Sequence, residues 1–317
     1  MDAIVVDGLE KRYKGVQALA GISFSVRDGE VFGLLGPNGA GKSTTVRILA
    51  TLSRMDAGRA EVAGHDVRRQ AGAVRRSIGY VPQDSGVDQN GTGRENLMLQ
   101  GRVQGMGGQE LRDRVSGLLE FVGIADAADR VVKTYSGGMR RRLDIALGLV
   151  HRPKVLFLDE PTTGLDPEAR AGLWDEVGRL ARQERLTILL TTHYLEEADE
   201  LADRLAIVSR GQIVVEGTPR ELKATLRGDA VHLELVDGRM DDARRVLERL
   251  GATPEGGEGR TLVSRVENGN RALPGILSAL EQEGIGVESV GVSRPSLDDV
   301  YLHYTGRDFA AEDRGEA

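Results

Sequence analysis

The chain has 317 residues, 40% of them apolar, and a net charge of −7, so it is long enough for one large domain and a smaller one. The negative charge disfavours a global nucleic-acid-binding surface but allows a local basic patch. There is no cysteine, which excludes disulfides and thiolate metal sites, and no uncharged apolar run approaches the roughly 18 residues of a membrane span. Because the N-terminus also lacks a leader pattern, the chain is predicted to be cytoplasmic, and any role at a membrane would require a membrane-bound partner.

Before the first glycine-rich loop, two β-like runs at 4–6 and 22–26 predict strands that are joined through a turn next to Tyr13. The Tyr13 ring is then either a platform on which adenine stacks or an ordinary edge-strand side chain. The sequence leaves both interpretations open.

The central motif is the run at 36–44, GPNGAGKST, which fits the phosphate-loop pattern G-x-x-x-x-G-K-[ST] between a predicted strand and a predicted helix. Glycines permit the positive φ that wraps backbone N–H groups around a polyphosphate, and the helix directs the positive end of its dipole at the same anion. Lys42 is predicted to bind the β- and γ-phosphates, Ser43 to bind Mg²⁺, and Thr44 to add a phosphate contact. The predicted nucleotide-binding set in this motif is Gly36, Asn38, Gly39, Ala40, Gly41, Lys42, Ser43 and Thr44.

A further strand is predicted at 78–83, where Pro82 ends the strand and Gln83 lies at its C-terminal end. A glutamine there can place its amide oxygen on a metal or on an attacking water, and can also contact a neighbouring protein. Residues 85–108 are rich in Gly, Gln and Asn and carry no predicted element, whereas residues 110–121 predict an amphipathic helix. Its apolar face carries Leu111, Val115, Leu118 and Leu119.

A second anion-binding geometry is predicted at Ser136, Gly137 and Gly138, which begin a helix with a capping hydroxyl and unobstructed amide groups. Two phosphate sites in one chain suggest that the second site serves a nucleotide on another copy. The arginines at 140–142 follow on the same helix. They form either a solvated face or contacts to phosphate or a partner.

Two predicted buried strands end in polar side chains. The apolar run at 155–160 ends in Asp159 and Glu160, which are predicted to hold the Mg²⁺ shell and to deprotonate the attacking water, respectively. The run at 187–192 is followed by His193, whose imidazole can hydrogen-bond a γ-phosphate and hold the base and the water in line.

Helix and hairpin signals complete this part of the chain. Asp166, followed by proline, is predicted to cap a helix that runs to about residue 183. Residues 195–205 are helical and acidic in pattern, and residues 207–215 predict a hairpin.

In order and approximate spacing, these motifs resemble the Walker A, Q-loop, signature, Walker B, D-loop and H-loop motifs of ABC transporter ATP-binding proteins over residues 3–225. The matching residues are 36–44, Gln83, 136–138, 158–162, 164–166 and His193. Within that superfamily, the stretches at 133–146 and 295–302 resemble the signature and closing motifs of the daunorubicin/doxorubicin-resistance ATP-binding subunits of drug exporters. Tyr135 and Met139 stand where most ABC proteins have Leu and Gln, and they leave the phosphate-facing serine and glycines intact.

The resemblance implies an α/β fold, namely a P-loop NTPase domain with a mixed sheet and a helical signature subdomain, and it implies ATP and Mg²⁺ as cofactors. It is consistent with Ser43, Gln83 and Asp159 as metal-binding residues and with Glu160, His193 and Gln83 as catalytic residues.

The resemblance also implies a homodimer that clamps two ATP molecules. Each site would use the Walker residues of one copy and Ser136, Gly137 and Gly138 of the other, with Asp166 at the seam. The groove near Gln83 would receive a cytoplasmic helix of a separate membrane permease. The chain would therefore lie at the cytoplasmic face of the membrane, without direct contact to nucleic acid.

Beyond a break at 217–219, alternating strand-like and helix-like stretches predict a small C-terminal α+β domain. The predicted boundaries are 1–227 for the ATP-binding domain, 228–305 for the accessory domain and 306–317 for an acidic, disordered tail. The accessory domain carries no phosphate loop and no clustered ligand residues. It is either a scaffold for dimerisation or permease docking, or a ligand sensor.

Together these features predict the ATP-hydrolysing motor subunit of a drug or antibiotic exporter. One alternative is a soluble ABC ATPase that acts on ribosomes or nucleic acid, although such proteins usually carry two ATP domains or a long coiled-coil insertion. Another is an importer motor with a regulatory domain, which the closing motif disfavours. Resistance by drug sequestration lacks support because only 4% of the residues are aromatic.

Overall fold

The computed structural model describes residues 1–226, 228–256, 259–306, 309 and 313. They divide into two compact units. The first unit is Met1–Pro219 together with the described residues from Tyr304 onward, and the second is Arg220–His303. The domain boundaries at 227/228 and 305/306 stay predictions.

The first unit alternates strands and helices. In chain order its elements are β1 (Asp2–Tyr13), β2 (Val16–Arg27), β3 (Val31–Leu35), α1 (Lys42–Leu49), β4 (Ala57–Val62), β5 (His65–Asp66), α2 (Ala71–Ser77), β6 (Ile78–Val81), α3 (Gly93–Val103), α4 (Gly108–Phe121), α5 (Gly137–Leu149), β7 (Val155–Asp159), α6 (Pro167–Glu184), β8 (Thr187–Thr192), α7 (Leu195–Leu201), β9 (Arg204–Ser209) and β10 (Gln212–Gly217). Short 3₁₀ helices lie at Ala125–Ala127 and Val132–Thr134.

Two sheets form the first unit. The smaller sheet is antiparallel, in the order β2-β1-β4-β5, and the larger has the order β10-β9-β3-β8-β7-β6. In the larger sheet all neighbours run parallel except β10, which pairs antiparallel with β9. Every residue of β3, β7 and β8 is buried, as expected for parallel strands that are covered on both faces and therefore read as continuous apolar runs.

The register of the larger sheet brings the ends of three strands together. Leu35, the last residue of β3, lies opposite Thr192 of β8, and Asp159 of β7 lies opposite Thr191. The loops that follow these strands therefore leave the same edge of the sheet. This is the position at which open α/β sheets place their ligands.

Two hydrophobic clusters hold the first unit. One joins the smaller sheet to one face of the larger sheet, and in it Phe24 and Phe32 stack with their ring centroids 5.3 Å apart. The other joins α3, α4, α5 and α6 to β7 and β8. The four predicted apolar residues of α4 belong to the second cluster, which confirms the face predicted for that helix.

One helix in this unit was not predicted, and one predicted helix has the wrong end. Residues 85–108 contain α3, which begins with a capping box: Thr92 Oγ1 accepts from the Glu95 N–H at 3.1 Å and Glu95 Oε2 accepts from the Thr92 N–H at 2.8 Å. The T-x-x-E signal was present in the sequence within a glycine-rich and polar stretch. The helix predicted at 195–205 ends at Leu201, because Arg204 begins β9.

The second unit has two layers. In chain order its elements are α8 (Pro219–Thr225), β11 (Asp229–Leu235), α9 (Met240–Arg249), β12 (Thr253–Gly256), β13 (Thr261–Val266), α10 (Gly269–Gln282), β14 (Val287–Ser293) and α11 (Leu297–Thr305). The first residue of α8 and the last two residues of α11 are assigned to the first unit. The sheet is antiparallel in the order β12-β13-β11-β14, and apolar side chains of α9 and α10 form its core with β11 and β13. The α+β class predicted for this region is confirmed, whereas β12 and α11 were not predicted as elements.

Candidate nucleotide site

The phosphate loop joins β3 to α1, and close packing explains two of its glycines. A Cβ at Gly36 would lie 2.2 Å from the Val208 carbonyl oxygen, and a Cβ at Gly41 would lie 2.6 Å from the Ala18 carbonyl oxygen. Gly41 also has a φ of 108°, which favours glycine. Asn38 is exposed at the tip of the loop, where its N–H donates to Asp313 Oδ1 at 2.9 Å.

Lys42 lies at the centre of the loop with 3% of its side chain exposed. Its ammonium donates to the carbonyl oxygens of Gly36 at 2.7 Å and Pro37 at 3.1 Å, and lies 3.5 Å from Glu160 Oε1. Burial lowers the pKa of Lys42, and the neighbouring Glu160 carboxylate opposes that shift. Among the described residues, the predicted catalytic base is thus the carboxylate that forms an ion pair with this ammonium, while Asp313 and Asp159 also act on it electrostatically.

Asp159, at the end of β7, accepts hydrogen bonds from hydroxyl groups. Its Oδ1 accepts from Ser43 Oγ at 2.8 Å and from Thr191 Oγ1 at 2.7 Å, and its Oδ2 lies 3.5 Å from the hydroxyl of Tyr80. Carboxylate and hydroxyl oxygens are ligands that Mg²⁺ accepts, so this pair fits a magnesium shell completed by water and phosphate. In the described part of the chain, no group of three or more His, Cys, Asp or Glu side chains could hold a metal by itself.

Glu160 lies one residue beyond Asp159 and is 5% exposed. Its Oε2 accepts from Gln83 Nε2 at 3.1 Å and from Thr163 Oγ1 at 3.2 Å, and lies 3.3 Å from His193 Nδ1. Burial by itself would raise the pKa of Glu160, but His193, Lys42 and Thr163 outweigh it, so the pKa is lowered. The group is therefore ionised at neutral pH and is able to accept a proton.

The backbone of Glu160 is unusual, with a φ of 47°. A non-glycine residue in this region costs about 1–3 kcal/mol and persists only where its surroundings hold it. Its N–H donates to both the carbonyl and the hydroxyl oxygen of Thr191, at 3.1 and 3.0 Å. Thr191, which the sequence analysis did not single out, thus contacts both Asp159 and Glu160.

The three arginines that follow the signature motif have different environments. Arg141 is buried and donates to main-chain carbonyl groups, so neither interpretation offered for this run applies to it. The Nε of Arg142 lies 3.6 Å from Oε2 of the buried Glu176, and Arg140 is half-buried. Successive helical positions differ by about 100° in direction, so neighbours in sequence meet different surroundings.

The signature residues form a second, separate group. Ser136 caps α5 through a hydrogen bond from the Met139 N–H at 3.2 Å, and Asp166 caps α6 through one from the Ala169 N–H at 2.8 Å. A Cβ at Gly138 would lie 3.3 Å from the Cβ of Ala169, so the two helix starts are adjacent. Ser136, Gly137 and Asp166 are exposed. Within the described residues, no hydrogen bond joins this group to Lys42, Asp159 or Glu160.

Tyr13 lies at the end of β1 with 44% of its side chain exposed. Its hydroxyl hydrogen-bonds Ser53 Oγ at 3.0 Å, and the Lys11 ammonium lies 5.0 Å from the ring centroid. Its role as an adenine platform stays a prediction.

Comparison with known proteins decides the family. A family model described as ABC transporter matches residues 19–163, and one described as ATP-binding protein DrrA1-3-like, C-terminal domain, matches residues 217–305. The chain is 50% identical over 307 residues to the daunorubicin resistance ATP-binding protein DrrA3 of Streptomyces coeruleorubidus, covering 96% of each chain. The chain belongs to the ABC transporter ATP-binding proteins of the DrrA-like group.

Other relatives and solved structures support the same family assignment. The chain is 45% identical to the daunorubicin/doxorubicin resistance ATP-binding protein DrrA of Streptomyces peucetius, covering 98% and 94% of the two chains. It is 40% identical to the Nod factor export ATP-binding protein I of Ralstonia nicotianae, covering 96% and 94%. Among solved structures, cbiO1 from Clostridium perfringens matches with a TM-score of 0.66 and 28% identity, covering 79% of this chain and 96% of the other. An ATP-binding cassette of an ABC transporter in its ADP conformation matches with a TM-score of 0.64 and 26% identity, covering 70% and 92%.

Membership of this family confirms the predicted family, fold class and enzyme class. The protein is an ABC ATPase, which binds ATP or ADP and couples ATP hydrolysis to transport. In the described part of the chain, no helix is both long enough and apolar enough to cross a membrane.

Proposed function

We propose that the chain is the ATP-hydrolysing subunit of an exporter for a drug or antibiotic, and that it acts as a homodimer on a separate membrane permease. Two relatives whose names state daunorubicin resistance match it at 45–50% identity over nearly the whole chain, and a DrrA-like C-terminal domain model matches as well. The observation that carries the enzymatic part is the convergence of Gln83, Thr163 and His193 on one oxygen of Glu160, beside Lys42.

In this proposal Lys42 binds the β- and γ-phosphates, and its two carbonyl contacts give way to phosphate oxygens of similar geometry. Ser43 and Asp159 would hold Mg²⁺, joined by the amide oxygen of Gln83. When bound, the ion would supply positive charge that stabilises the negative charge developing on the transferred phosphoryl group. Thr44, half-exposed beside Ser43, would contact phosphate.

Glu160 then acts as the general base. A water between its carboxylate and the γ-phosphorus attacks in line, the bond from the γ-phosphorus to the bridging oxygen of ADP breaks, and the proton of the water passes to Glu160. His193 Nδ1 lies 3.3 Å from Oε2 of Glu160. In this proposal the imidazole would contact the γ-phosphate and so hold the base and the water in line. Gln83, which donates to Glu160, would also orient the water.

The signature residues would serve the nucleotide of a second copy. Ser136 and Gly137 are exposed at a helix start that is separate from the phosphate loop, and the amide groups of such a start are suited to binding an anion. Asp166 is exposed on the adjacent helix start and would lie at the seam between the two copies. Tyr13 would stack on the adenine of its own copy.

A cavity of about 290 Å³ beside the Gln83 segment would receive the permease. Its walls include Tyr80, Pro82, Gln100, Gln104 and Asp144, which come from β6, α3, α5 and the connecting loops. Because Pro82 immediately precedes Gln83, a helix of the permease that occupied this cavity would bear directly on the catalytic region. This arrangement would place the chain at the cytoplasmic face of the membrane.

The test is transport by inside-out membrane vesicles. The chain is expressed with and without a candidate membrane permease, and ATP-dependent doxorubicin uptake is compared for the wild type and Glu160→Gln. Uptake that needs both chains and an intact Glu160 supports the proposal. ATP hydrolysis that ribosomes or DNA stimulate, without membrane association, would contradict it.

A further inference from the structure

One buried arginine links the signature helix to the catalytic carboxylate. Arg141 lies in α5, five positions after the capping Ser136, and 7% of its side chain is exposed. Its Nε donates to the Pro161 carbonyl at 2.6 Å, and its Nη1 donates to the Pro82 carbonyl at 2.6 Å. Its Nη2 is shared between the carbonyls of Asp159 at 3.1 Å and Glu160 at 3.3 Å.

These four carbonyl groups belong to two segments that are distant in sequence. Pro82 follows β6, and the other three carbonyls lie at and just beyond the end of β7. Carbonyl groups beyond a strand end lose their ladder partners, and buried ones need donors from elsewhere. A guanidinium presents five N–H groups in one plane, so a single arginine satisfies several carbonyls at fixed mutual positions, which a lysine ammonium cannot do.

The charge of Arg141 is costly in this environment. Burial lowers its pKa, and the nearby acidic side chains of Asp144, Glu197 and Asp159 oppose that shift. A buried cation is tolerated where it is both hydrogen-bonded and surrounded by opposite charge. Arg141 meets both conditions, which distinguishes it from a solvated arginine on a helix face.

The hydrogen bonds of Arg141 involve the backbone of two residues at the catalytic site, Glu160 and the residue that precedes Gln83. The φ of Glu160 is 47°, and its N–H is held by Thr191 while its carbonyl is held by Arg141. Both peptide groups of this residue are therefore constrained, and with them the direction of its side chain. The Pro82 carbonyl immediately precedes Gln83, whose amide donates to the Glu160 carboxylate.

We propose that Arg141 is a positioning residue for ATP hydrolysis, which sets Glu160 and Gln83 relative to each other and to helix α5. The proposal rests on the role of Glu160 as the base in the proposed function. The four side-chain hydrogen bonds of Arg141 go to main-chain carbonyls, so in this proposal it acts on the reacting groups through their backbone and not by contact with the nucleotide. A change at Arg141 therefore acts on turnover and leaves ATP binding by Lys42 and Ser43 in place.

The experiment measures kcat and the equilibrium ATP affinity of the full-length chain for the wild type, Arg141→Lys and a matched control, Arg114→Lys. Arg114 also donates from a partly buried guanidinium to two carbonyls, those of Leu149 at 2.7 Å and Val150 at 3.3 Å, at the far end of α5. Arg141→Lys is expected to lower kcat by about 10–100-fold at an unchanged Kd for ATP, as a misplacement of a reacting group by about 1 Å does. Arg114→Lys is expected to lower the melting temperature without lowering the kcat of the folded fraction.

A double-mutant cycle with Glu160→Gln separates positioning from general damage. If Arg141 acts through Glu160, then Arg141→Lys causes little further loss of turnover once Glu160 is replaced, as is typical of residues that act as a unit. Losses that multiply, an unchanged kcat in Arg141→Lys, or equal changes in Kd and kcat would each overturn the proposal. Wild-type turnover by Glu160→Gln alone would instead overturn the role assigned to Glu160 in the proposed function. If Arg141→Lys does not fold, Arg141→Gln, which retains two donors, takes its place with the same expected outcomes.

Discussion

Replacing Glu160 by glutamine tests the base assignment with little change of shape. Oε2 of Glu160 accepts from Gln83 and Thr163 and lies 3.3 Å from His193 Nδ1, whereas Oε1 lies 3.5 Å from the Lys42 ammonium. In Glu160→Gln the amide oxygen is expected to occupy the position of Oε2, because the donors of Gln83 and Thr163 need an acceptor there. The amide nitrogen would then face the Lys42 ammonium, which is also a donor, so this contact is lost together with the ability to accept a proton, while Lys42 keeps its two carbonyl acceptors in the loop.

The expected loss of hydrolysis is about 10²–10⁴-fold, which is the usual contribution of a general base and corresponds to about 3–5 kcal/mol. ATP affinity should be unchanged or higher, because the Lys42 charge is no longer shared with a carboxylate. Lys42→Ala makes the opposite change, since it removes the ammonium and should weaken ATP binding itself.

Single-turnover phosphate release at saturating ATP, together with equilibrium ATP binding, measures the two quantities separately. Glu110→Gln is a matched control, since Glu110 is 64% exposed on α4 and contacts Arg152 at 3.6 Å, away from the phosphate loop. Phosphate release by Glu160→Gln within tenfold of the wild type, with ATP bound, would refute the assignment. A parallel loss of ATP binding would show that Glu160 supports the loop and not the chemistry.

Three further outcomes follow from the described contacts. Thr191→Val removes a donor to the carboxylate of Asp159 and should lower the free energy of unfolding by about 1.5–3 kcal/mol in chemical denaturation, and a loss below about 0.5 kcal/mol would count against this hydrogen bond. Burial raises the pKa of Glu176 from 4.5 to about 7, so the folded state binds the extra proton between these values and the free energy of unfolding falls as pH rises through them. Glu176→Gln should remove that fall, up to about 3 kcal/mol, and a wild-type stability that is flat or rises from pH 4.5 to 7 would contradict the shift. Asp313→Asn weakens a charge-assisted bond to the N–H of Asn38 and should tighten ATP binding about fivefold, equivalent to about 1 kcal/mol, whereas weaker ATP binding would show that Asp313 does not compete with phosphate.

Patterns that are local in the chain were readable from the sequence. The buried strands β3, β7 and β8 are continuous apolar runs, and the polar residues that end them lie at one edge of the sheet because parallel strands share a direction. The caps by Ser136 and Asp166 depend on neighbours three residues away, so they too were predictable. The start of α3 was equally local, and its capping box was overlooked because glycine and polar residues surround it.

Contacts between distant segments were decided only by the tertiary structure. Gln83 and Glu160 are 77 residues apart, and Thr191 and Asp159 are 32 apart, so no spacing rule predicts their hydrogen bonds. The run at 140–142 shows the same limit, since three identical side chains point in different directions and only the packing of α5 against the end of β7 decides which is buried. Sequence by itself determined which chemical groups the protein carries and on which elements. The tertiary structure decided which of them meet, because side-chain surroundings depend on the register and packing of elements that are far apart in the chain.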